Sequence, residues 1–447
     1  MNLIEKFIET TKINKDKIAI KQKSNVKTYH DLYIDVFKVV NYLEKMKVSK
    51  QSRILLFINM SYEMYVCLIG AIIYGLDVVI IDNFKDKNRV NNQILDAKVE
   101  YIFTNNVTSI VKNLFKPLRK IKLFNVSKII KSKRIPIENI DTFKNKSGLI
   151  TFTSGGTGRP KAVRRTLDDL SKQMDLTLQT LNVDTDEYVL ATLPIYVLAC
   201  LIQGLSVYVI DKKENIEDIL IRESPSMMFS SISKYLEINK PINSIKKAFF
   251  GGSILYYNEA KKIKENLPNA EITYIYGATE ASIISKTTLD EYIINLENNN
   301  LCMGNILPNN KVIIDNNEIV IVKGIITNNY LTEEKCEFHK TKDLGCVEEN
   351  KIFITGRKIT DNIFSDYLLE MLVKKEFTDI FNIAIIKIDE EYHIYLEEKD
   401  IDKRINIILI LEKYIKNGII HIVKRLPLDY RHNSKVDYKK LLTIVKE

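Results

Sequence analysis

The sequence predicts an α/β protein with a large N-terminal domain and a small α+β C-terminal domain. Short apolar runs alternate with helical patterns over the first part of the chain, which is typical of βαβ units around a mostly parallel sheet. A chain of 447 residues also exceeds what one hydrophobic core usually supports. After residue 300 the pattern changes to hairpins and short helices, which indicates a domain of a second type.

The N-terminal elements follow from hydrophobic periodicity. MNLIEKFIETTK has the pattern of an amphipathic helix, and residues 125–147, rich in Lys, Asn and Ser, suit a connector. The other predicted elements, in chain order, are a helix at 33–47, a buried strand at 54–59, a helix at 61–74, and strands at 78–82, 101–105 and 148–151.

The second half contains a hairpin signal and a compact α+β pattern. In KVIIDNNEIVIVKG, the turn at 315–317 separates two strand-like runs. The predicted elements beyond it are a helix at 366–375, a hairpin at 382–397, a helix at 402–416 and a strand at 418–424. We therefore predict domains at 1–356 and 357–447, with the boundary near Arg357 to Thr360.

Composition indicates an ordinary globular protein of the cytoplasm. Apolar residues make up 45% and charged residues 28% of the chain. The longest apolar run, Val66 to Leu76, is too short to span a bilayer, and no signal-type apolar core begins the chain. Five cysteines without a CxxC pair suggest reduced thiols, and five scattered histidines suggest no metal site.

The net charge of +9 does not by itself indicate a nucleic-acid partner. Lysines are spread along the chain and mixed with acids, without a cationic stripe interleaved with aromatic residues. The excess suits a modest attraction for small anionic ligands.

The run TFTSGGTGRPKAV, residues 151–163, is the most informative segment of the chain. Glycines let backbone N–H groups approach an anion closely, and Ser154 and Thr157 add hydroxyl donors. Arg159 and Lys161 supply positive charge. Because Pro160 separates the glycine from Lys161, the loop is not a Walker motif. Taken alone, it fits a phosphate site and a plain turn about equally.

Four further motifs follow the loop in order: YIYGATEAS at 274–282, FHKTKDLG at 338–345, ITGRK at 354–358 and LPLDYRHNSKVDYKKL at 426–441. FGGSIL at 250–255 adds a fifth, weaker one. Together they resemble the T-S-G-[ST]-T-G-x-P-K, Y-G-x-T-E, Y-R-T-G-D-L-G, G-R-x-D and terminal lysine elements of the adenylate-forming superfamily. That superfamily contains acyl- and aryl-CoA synthetases, peptide-synthetase adenylation domains and luciferases. The resemblance implies a large AMP-binding domain with βαβ subdomains and a distorted β-barrel or hairpin part, followed by a lid.

The resemblance also implies a set of nucleotide-binding positions. These are Thr153, Ser154, Gly155, Gly156, Thr157, Gly158, Lys161, Gly252, Ser253, Tyr276, Gly277, Asp343 and Arg357. In this assignment the residues of the glycine-rich loop bind the β- and γ-phosphates of ATP. Gly252, Ser253 and Tyr276 flank adenine, and Asp343 accepts hydrogen bonds from the ribose.

Three residues are expected to carry the chemistry of adenylation. Thr279 contacts the α-phosphate, and Glu280 holds Mg²⁺, a hard cation that prefers oxygen ligands. Lys435 bridges the substrate carboxylate and the α-phosphate, where charge develops during transfer. Lys358 and Ile359 are the expected hinge, about which the lid would rotate between half-reactions.

Several positions depart from the family pattern. Gly156 and Lys342 replace a hydroxyl residue and a glycine, and Ser434 replaces the glycine before the lysine. The glycine-containing loop that lines a pantetheine tunnel is absent after residue 358. Val197 and Cys200 stand where many relatives read P-x-x-H-x-x-G.

The predicted function is an AMP-forming ligase that adenylates a small carboxylic acid, fatty or aromatic, and transfers the acyl group to CoA. Two alternatives stay open. One is an adenylating enzyme that loads the pantetheine of a carrier protein, or forms an amide or lactone without CoA. The other is a degenerate relative that binds nucleotide or acyl groups without catalysis.

Overall fold

The structure is a computed structural model. It describes residues 2–81, 84–132, 146–152, 160–184, 186–211, 214–326, 331, 337–377, 383–397, 401–415, 418–428 and 436–444. The chain divides into two compact units. Unit 1 comprises Met1–Thr153, Arg159–Ser230 and Thr327–Cys336, and unit 2 comprises Ser154–Gly158, Ser231–Ile326 and Glu337–Glu447.

Unit 1 alternates strands and helices as the periodicity predicts. Its elements are α1 (Leu3–Ile13), β1 (Ile18–Gln22), β2 (Asn25–Thr28), α2 (Tyr29–Lys45), β3 (Arg53–Phe57), α3 (Tyr62–Tyr74), β4 (Asp77–Val79), α4 (Lys87–Asp96), β5 (Tyr101–Thr104), α5 (Thr108–Val111), 3₁₀ turns at Lys112–Leu114 and Lys116–Lys120, β6 (Lys122–Asn125), α6 (Val126–Ile130), β7 (Gly148–Phe152), β8 (Ala162–Thr166), α7 (Leu167–Leu181), β9 (Tyr188–Ala191), α8 (Pro194–Gln203), β10 (Ser206–Val209), α9 (Ile216–Glu223) and β11 (Met227–Phe229).

Two sheets organise unit 1. One has the order β6-β5-β3-β4-β7-β8, parallel except for β8, and the other contains β2-β1-β10-β9-β11 with only β2 antiparallel. The mixed α/β class and the mostly parallel sheet are therefore confirmed. The predicted connector at 125–147 begins with a short helix, α6, and its residues 133–145 lie outside the described part of the chain.

Unit 2 contains the remaining elements. They are α10 (Ile232–Leu236), β12 (Lys247–Gly251), α11 (Tyr257–Asn266), β13 (Glu271–Ala278), β14 (Ser282–Thr288), α12 (Leu289–Glu297), β15 (Cys302–Ile306), β16 (Lys311–Asp315), β17 (Glu318–Lys323), β18 (His339–Glu348), β19 (Lys351–Thr360), β20 (Ile363–Asp366), α13 (Tyr367–Glu376), β21 (Ile383–Ile388), β22 (Glu391–Leu396), α14 (Ile401–Leu411), β23 (Gly418–Ile422) and α15 (Tyr438–Ile444).

The strands of unit 2 pair mainly with their neighbours in sequence. Antiparallel pairing runs from β13 through β14 and β15 to β19, and β19 also pairs with β18 and β20. The predicted β16–β17 hairpin is confirmed. The predicted C-terminal elements are confirmed as well, with β21 and β22 as the hairpin and β23 parallel to β22.

Helix α13 illustrates why these segments fold locally. The Asp366 side chain accepts a hydrogen bond from the Leu369 N–H, which caps the helix, and Lys374 and Lys375 lie in its last turn. Its buried face, Leu369 and Val373, packs in one core cluster with β21, β22 and α14. Burial of that face contributes about 1.5–3 kcal/mol per large side chain. This packing stabilises the helix more than the intrinsic helix propensity of its residues does.

The predicted domain boundary falls inside a continuous strand. β19 runs from residue 351 to 360 and pairs on both sides of position 357. The division at 356/357, and the mobility of the C-terminal part, therefore stay predictions. Within the described residues, no helix is both long enough and apolar enough to cross a membrane.

Candidate active site

The loop after β12 presents bare backbone to an open volume. β12 and β13 pair in parallel with Gly251 opposite Ile275, and a Cβ at Gly251 would lie 2.1 Å from the Ile275 carbonyl oxygen. Gly252 has φ +89° and no atom within 4 Å of where its Cβ would be. The Ser253 carbonyl accepts a hydrogen bond of 2.5 Å from the Tyr274 hydroxyl on β13. Glycine is therefore required here by close strand packing and by a left-handed backbone.

The end of β13 carries four further predicted residues. Tyr276 and Gly277 flank an irregularity in the pairing with β14, and a Cβ at Gly277 would lie 2.2 Å from the Ser282 carbonyl oxygen. Thr279 and Glu280 lie in the turn between β13 and β14, both half-buried. The strand-turn-strand geometry thus presents a hydroxyl and a carboxylate at the strand end that contains Tyr276.

Asp343 is the centre of a buried polar group. Its Oδ2 accepts a hydrogen bond of 2.8 Å from the Tyr276 hydroxyl, and its Oδ1 pairs with Arg357 Nη1 at 2.5 Å. The cross-strand register of β18 and β19 places Asp343 directly opposite Arg357. The Asp343 side chain is 12% exposed and that of Arg357 is 30% exposed. This arrangement brings together residues that are 67 and 14 positions apart in the chain.

Electrostatics hold these groups in defined protonation states. The Asp343 carboxylate raises the pKa of Arg357, so the guanidinium is permanently charged. Burial, together with the Asp343 charge, raises the pKa of the Tyr276 phenol, so its proton stays available for donation. Each carboxylate oxygen retains acceptor capacity beyond its one protein partner. The group can therefore accept hydrogen bonds from a hydroxylated ligand without losing its own contacts.

His339 is a site residue that sequence reasoning missed. It begins β18, is 9% exposed, and interacts electrostatically with both Glu280 and Asp343. Burial lowers its pKa, so the imidazole is neutral at pH 7. Tyr367, half-buried and interacting electrostatically with Arg357 and Asp343, was missed too. The signal for His339 is its position within the FHKTKDLG motif, whereas nothing near Tyr367 in the sequence marks it.

Lys342 explains one departure from the family pattern. Its backbone has φ +67°, a left-handed conformation that glycine adopts without steric cost. Its N–H donates a hydrogen bond of 2.8 Å to Glu318 Oε1 on β17. Position 342 therefore has a backbone conformation that favours glycine, the residue of the family pattern, and the lysine adopts it with some strain.

The hinge residues lie on β19 and lead into a tight turn. β19 and β20 are joined through residues 361 and 362, in place of a longer loop. Lys358 Nζ pairs with Asp361 Oδ1 at 2.8 Å, and the Asp361 side chain is exposed. Ile359 is 6% exposed and packs with Ala384, Ile386 and other core residues. Their role as a hinge stays a prediction.

The remaining predicted residues belong to unit 1 or lie outside the described part of the chain. Lys161, exposed beside β8, belongs to unit 1. The loop residues Thr153, Ser154, Gly155, Gly156, Thr157 and Gly158, and the terminal Lys435, lie outside the described residues. Unit 2 thus brings together the positions assigned to adenine, ribose, α-phosphate and metal.

Comparison with known proteins supplies the family. A family model described as AMP-binding enzyme matches residues 7–324. The D-alanine–D-alanyl carrier protein ligase of Staphylococcus epidermidis is 26% identical over 392 residues, covering 80% of this chain and 77% of that protein.

Two solved structures share the fold. O-succinylbenzoate coenzyme A synthetase from Bacillus subtilis in complex with AMP superimposes with a TM-score of 0.82 at 16% identity, covering 98% of this chain and 97% of that one. The same enzyme with ATP and magnesium ion gives a TM-score of 0.78 at 16% identity, covering 96% and 98%.

Proposed function

The chain belongs to the AMP-binding enzyme family, and from that premise we propose that it is an AMP-forming ligase that loads a carrier protein. In the first half-reaction, a substrate carboxylate attacks the α-phosphorus of ATP. A P–O bond forms, the bond to the β-phosphate breaks, and pyrophosphate leaves. In the second, a thiol attacks the acyl carbon, the bond to AMP breaks, and a thioester forms. The degenerate, non-catalytic alternative is disfavoured because Glu280, Asp343, Arg357 and Lys435 are all present.

The contact between Tyr276 and Asp343 carries this proposal. A buried carboxylate held by one phenol and one guanidinium has the acceptor geometry that a ribose diol needs. Gly252, with open space where a side chain would stand, leaves room for a flat base beside Tyr276. Both features belong to unit 2 and lie on or directly after strands of one sheet, so the groups that would meet the nucleoside are preorganised.

The donor chemistry of the turn fits a magnesium ion. The Glu280 carboxylate offers hard oxygen ligands, and Thr279 adds a hydroxyl for the α-phosphate. When bound, Mg²⁺ neutralises phosphate charge and so makes the α-phosphorus a better electrophile. Lys435 supplies a positive charge that stabilises the negative charge developing between the substrate carboxylate and the α-phosphate. His339 is neutral, so it does not compete with Lys435 for the phosphate.

One observation favours a carrier protein over free CoA as the acyl acceptor. The curated relative is named as a carrier protein ligase. CoA is the second candidate, because the structural neighbours are coenzyme A synthetases.

We propose a small acid with an alkyl or aryl part as the substrate. Helix α8 presents six consecutive buried residues without a charge, from Val197 to Ile202. Burial raises the pKa of the Cys200 thiol to about 12, so this cysteine is a neutral apolar group and not a nucleophile. These features suit an alkyl or aryl acid, and the curated relative's name adds D-alanine to the panel.

Exchange of labelled pyrophosphate into ATP tests the first half-reaction. Purified protein with ATP and Mg²⁺ is screened against D-alanine, L-alanine, and short fatty and aromatic acids. We expect strong exchange with one class of acid. Exchange with none of them would contradict adenylation.

Transfer to two acceptors tests the second half-reaction. With the preferred acid, radiolabelled acyl transfer to a phosphopantetheinylated carrier protein is compared with transfer to CoA at equal concentration. We expect the carrier protein to be loaded at least ~10-fold faster, a difference of about 1.4 kcal/mol in barrier. Faster transfer to CoA would identify the second candidate as the function.

A further inference from the structure

One segment of unit 1 concentrates positive charge. Residues 101–132 contain seven Lys or Arg residues and no Asp or Glu, against a net charge of +9 for the whole chain. Residues 142–167, which include the glycine-rich loop, are a second stretch of this kind, whereas lysines in most other parts of the chain are mixed with acids. Six of the seven cations are exposed, namely Lys116, Arg119, Lys120, Lys122, Lys128 and Lys131.

Apolar side chains project beside these cations. Val107, Ile110 and Leu114 are 68%, 78% and 54% exposed, and their spacing of three and four places them on one side of α5 and the following 3₁₀ turn. Isolated exposed aliphatic residues are ordinary, but three on one face within eight residues form a patch.

The segment is anchored, so the exposure is not that of an unpacked chain. Phe115 and Leu118, 3% and 0% exposed, pack with Val90 and Ile94 of α4 in one core cluster. This fixes the exposed apolar residues on the outer side of the segment.

Hydrogen bonds bring Arg119 next to the apolar patch and hold the end of β6 close to it. Arg119 Nε donates to the Asn113 carbonyl at 3.0 Å, beside Leu114. Asn125 Nδ2 donates to Asn106 Oδ1 at 3.1 Å, which ties the end of β6 to the residue before Val107. Cationic and apolar groups therefore share one surface, which we call the 107–131 surface.

We propose that the 107–131 surface binds the headgroup region of an anionic lipid membrane. Aliphatic side chains enter the boundary between headgroups and acyl chains, while lysines and arginine remain at the level of the phosphates. Charge complementarity selects this partner: the segment itself contributes cations and no acids, although the Glu63 carboxylate of α3 accepts a hydrogen bond from Ser127, and a net cationic surface attracts anionic partners.

The aromatic residues of the segment decide against nucleic acid. Phe103, Phe115 and Phe124 are buried and Tyr101 is half-buried, so the surface has no exposed ring on which a base could stack. The groups that do project are aliphatic, which suits lipid. The surface is independent of the residues assigned to adenylation, so the proposal stands apart from the proposed function.

Co-sedimentation of the full chain with vesicles tests the proposal. Vesicles of equal parts phosphatidylglycerol and phosphatidylcholine are compared with vesicles of phosphatidylcholine alone. We expect binding to the anionic vesicles at least ~10-fold tighter than to the neutral ones, with a loss at high salt that reflects screening.

Variants distinguish binding through the 107–131 surface from nonspecific adsorption of the protein to vesicles. Ile110→Asp with Leu114→Asp, and separately Lys116→Glu with Lys120→Glu, should each weaken anionic-vesicle binding ~10-fold or more. Ile13→Asp is the matched control, since Ile13 is 73% exposed on α1 of the same unit. Circular dichroism and pyrophosphate exchange report that each variant is folded.

Three outcomes would overturn the proposal. They are no binding to anionic vesicles, equal loss in the Ile13→Asp control, and tighter binding to single-stranded RNA or duplex DNA than to vesicles. Self-association that the Ile110→Asp and Leu114→Asp pair abolishes, without vesicle binding, would identify a second copy of this chain as the occupant instead.

Discussion

The Tyr256 hydroxyl donates a hydrogen bond of 2.6 Å to Glu370 Oε2, joining residues 114 positions apart. Glu370 is 1% exposed, and its Oε1 accepts the Ile385 N–H at 3.0 Å. Tyr438, on the last described helix, approaches the same oxygen at 3.4 Å. One carboxyl group therefore links the segment before α11 to α13, β21 and α15.

This buried carboxyl group should make stability depend on pH. Burial raises the pKa of Glu370 from 4.5 to about 7, despite hydrogen bonds from Tyr256 and Ile385 that favour the ionised form. As pH rises from about 4.5 to about 7, the unfolded chain loses this proton while the folded chain keeps it. The group then lowers the free energy of unfolding by about 3 kcal/mol, fully so above pH 7.

Glu370→Gln should remove that penalty, because the amide keeps an acceptor for the Ile385 N–H and carries no charge. We expect the variant to be more stable than the parent at about pH 8, with the difference shrinking towards about pH 5. Urea unfolding at both pH values measures this. Glu376→Gln, on the exposed face of the same helix, is the control. A difference independent of pH would show that Glu370 is ionised in the fold.

Asp343→Asn should weaken nucleotide-dependent activity without unfolding the protein. The amide retains the shape of the carboxylate but loses the charge that Arg357 neutralises and one acceptor. We expect pyrophosphate exchange to fall ~10- to 100-fold, the value of one or two charge-assisted hydrogen bonds. The control is Asp315→Asn, an exposed carboxylate on β16 that pairs with Lys340. Equal losses in both variants would argue against a ribose contact.

Lys342→Gly should preserve activity and stabilise the fold slightly. Glycine relieves the left-handed strain at φ +67°, and the N–H to Glu318 remains. Because glycine also gains freedom in the unfolded chain, the expected net gain is at most about 1 kcal/mol. Lys342→Val should instead lose about 1–2 kcal/mol in urea unfolding. If Lys342→Gly were less stable than Lys342→Val, the backbone at position 342 would not be strained as proposed.

Alanine substitutions at Gly251 and at Gly252 should destabilise the protein for different reasons. Gly251→Ala pushes its Cβ against the Ile275 carbonyl and must separate β12 from β13, costing about 1–3 kcal/mol of stability. Gly252→Ala has room for the methyl group but a left-handed φ, so its stability loss should be smaller, about 1 kcal/mol. The larger effect of Gly252→Ala should be an increase in the KM for ATP. Thermal unfolding and exchange kinetics separate the two effects.

Lys435→Ala should abolish only the first half-reaction. The lysine is proposed to meet charge that develops during adenylation, so pyrophosphate exchange should fall by ~100-fold or more. A supplied acyl adenylate should still be consumed by the thiol at the parent rate. Lys440→Ala, an exposed lysine of α15, is the control. If Lys435→Ala slowed both half-reactions equally, the lysine would not act in adenylation alone, which would contradict the proposal.

Sequence patterns predicted most elements because their causes are local. Helix α13 was expected at 366–375 and lies at 367–376, since a capping aspartate and an amphipathic repeat specify it without help from distant residues. The β16–β17 hairpin follows from the polar turn at 315–317 in the same way. The helix expected at 402–416 ends at 411, because periodicity does not define where a helix stops.

The site was predictable as a set of motifs, but not as an arrangement. The sequence alone determined the family pattern, the candidate residues and the alternation of strands and helices, because these depend on residue identity and on spacing along the chain. Only the tertiary structure decided that Tyr276 and Arg357 share Asp343, that His339 is neutral beside it, and that Tyr256 meets Glu370. Such contacts depend on strand register and burial, which are set by packing between segments far apart in sequence.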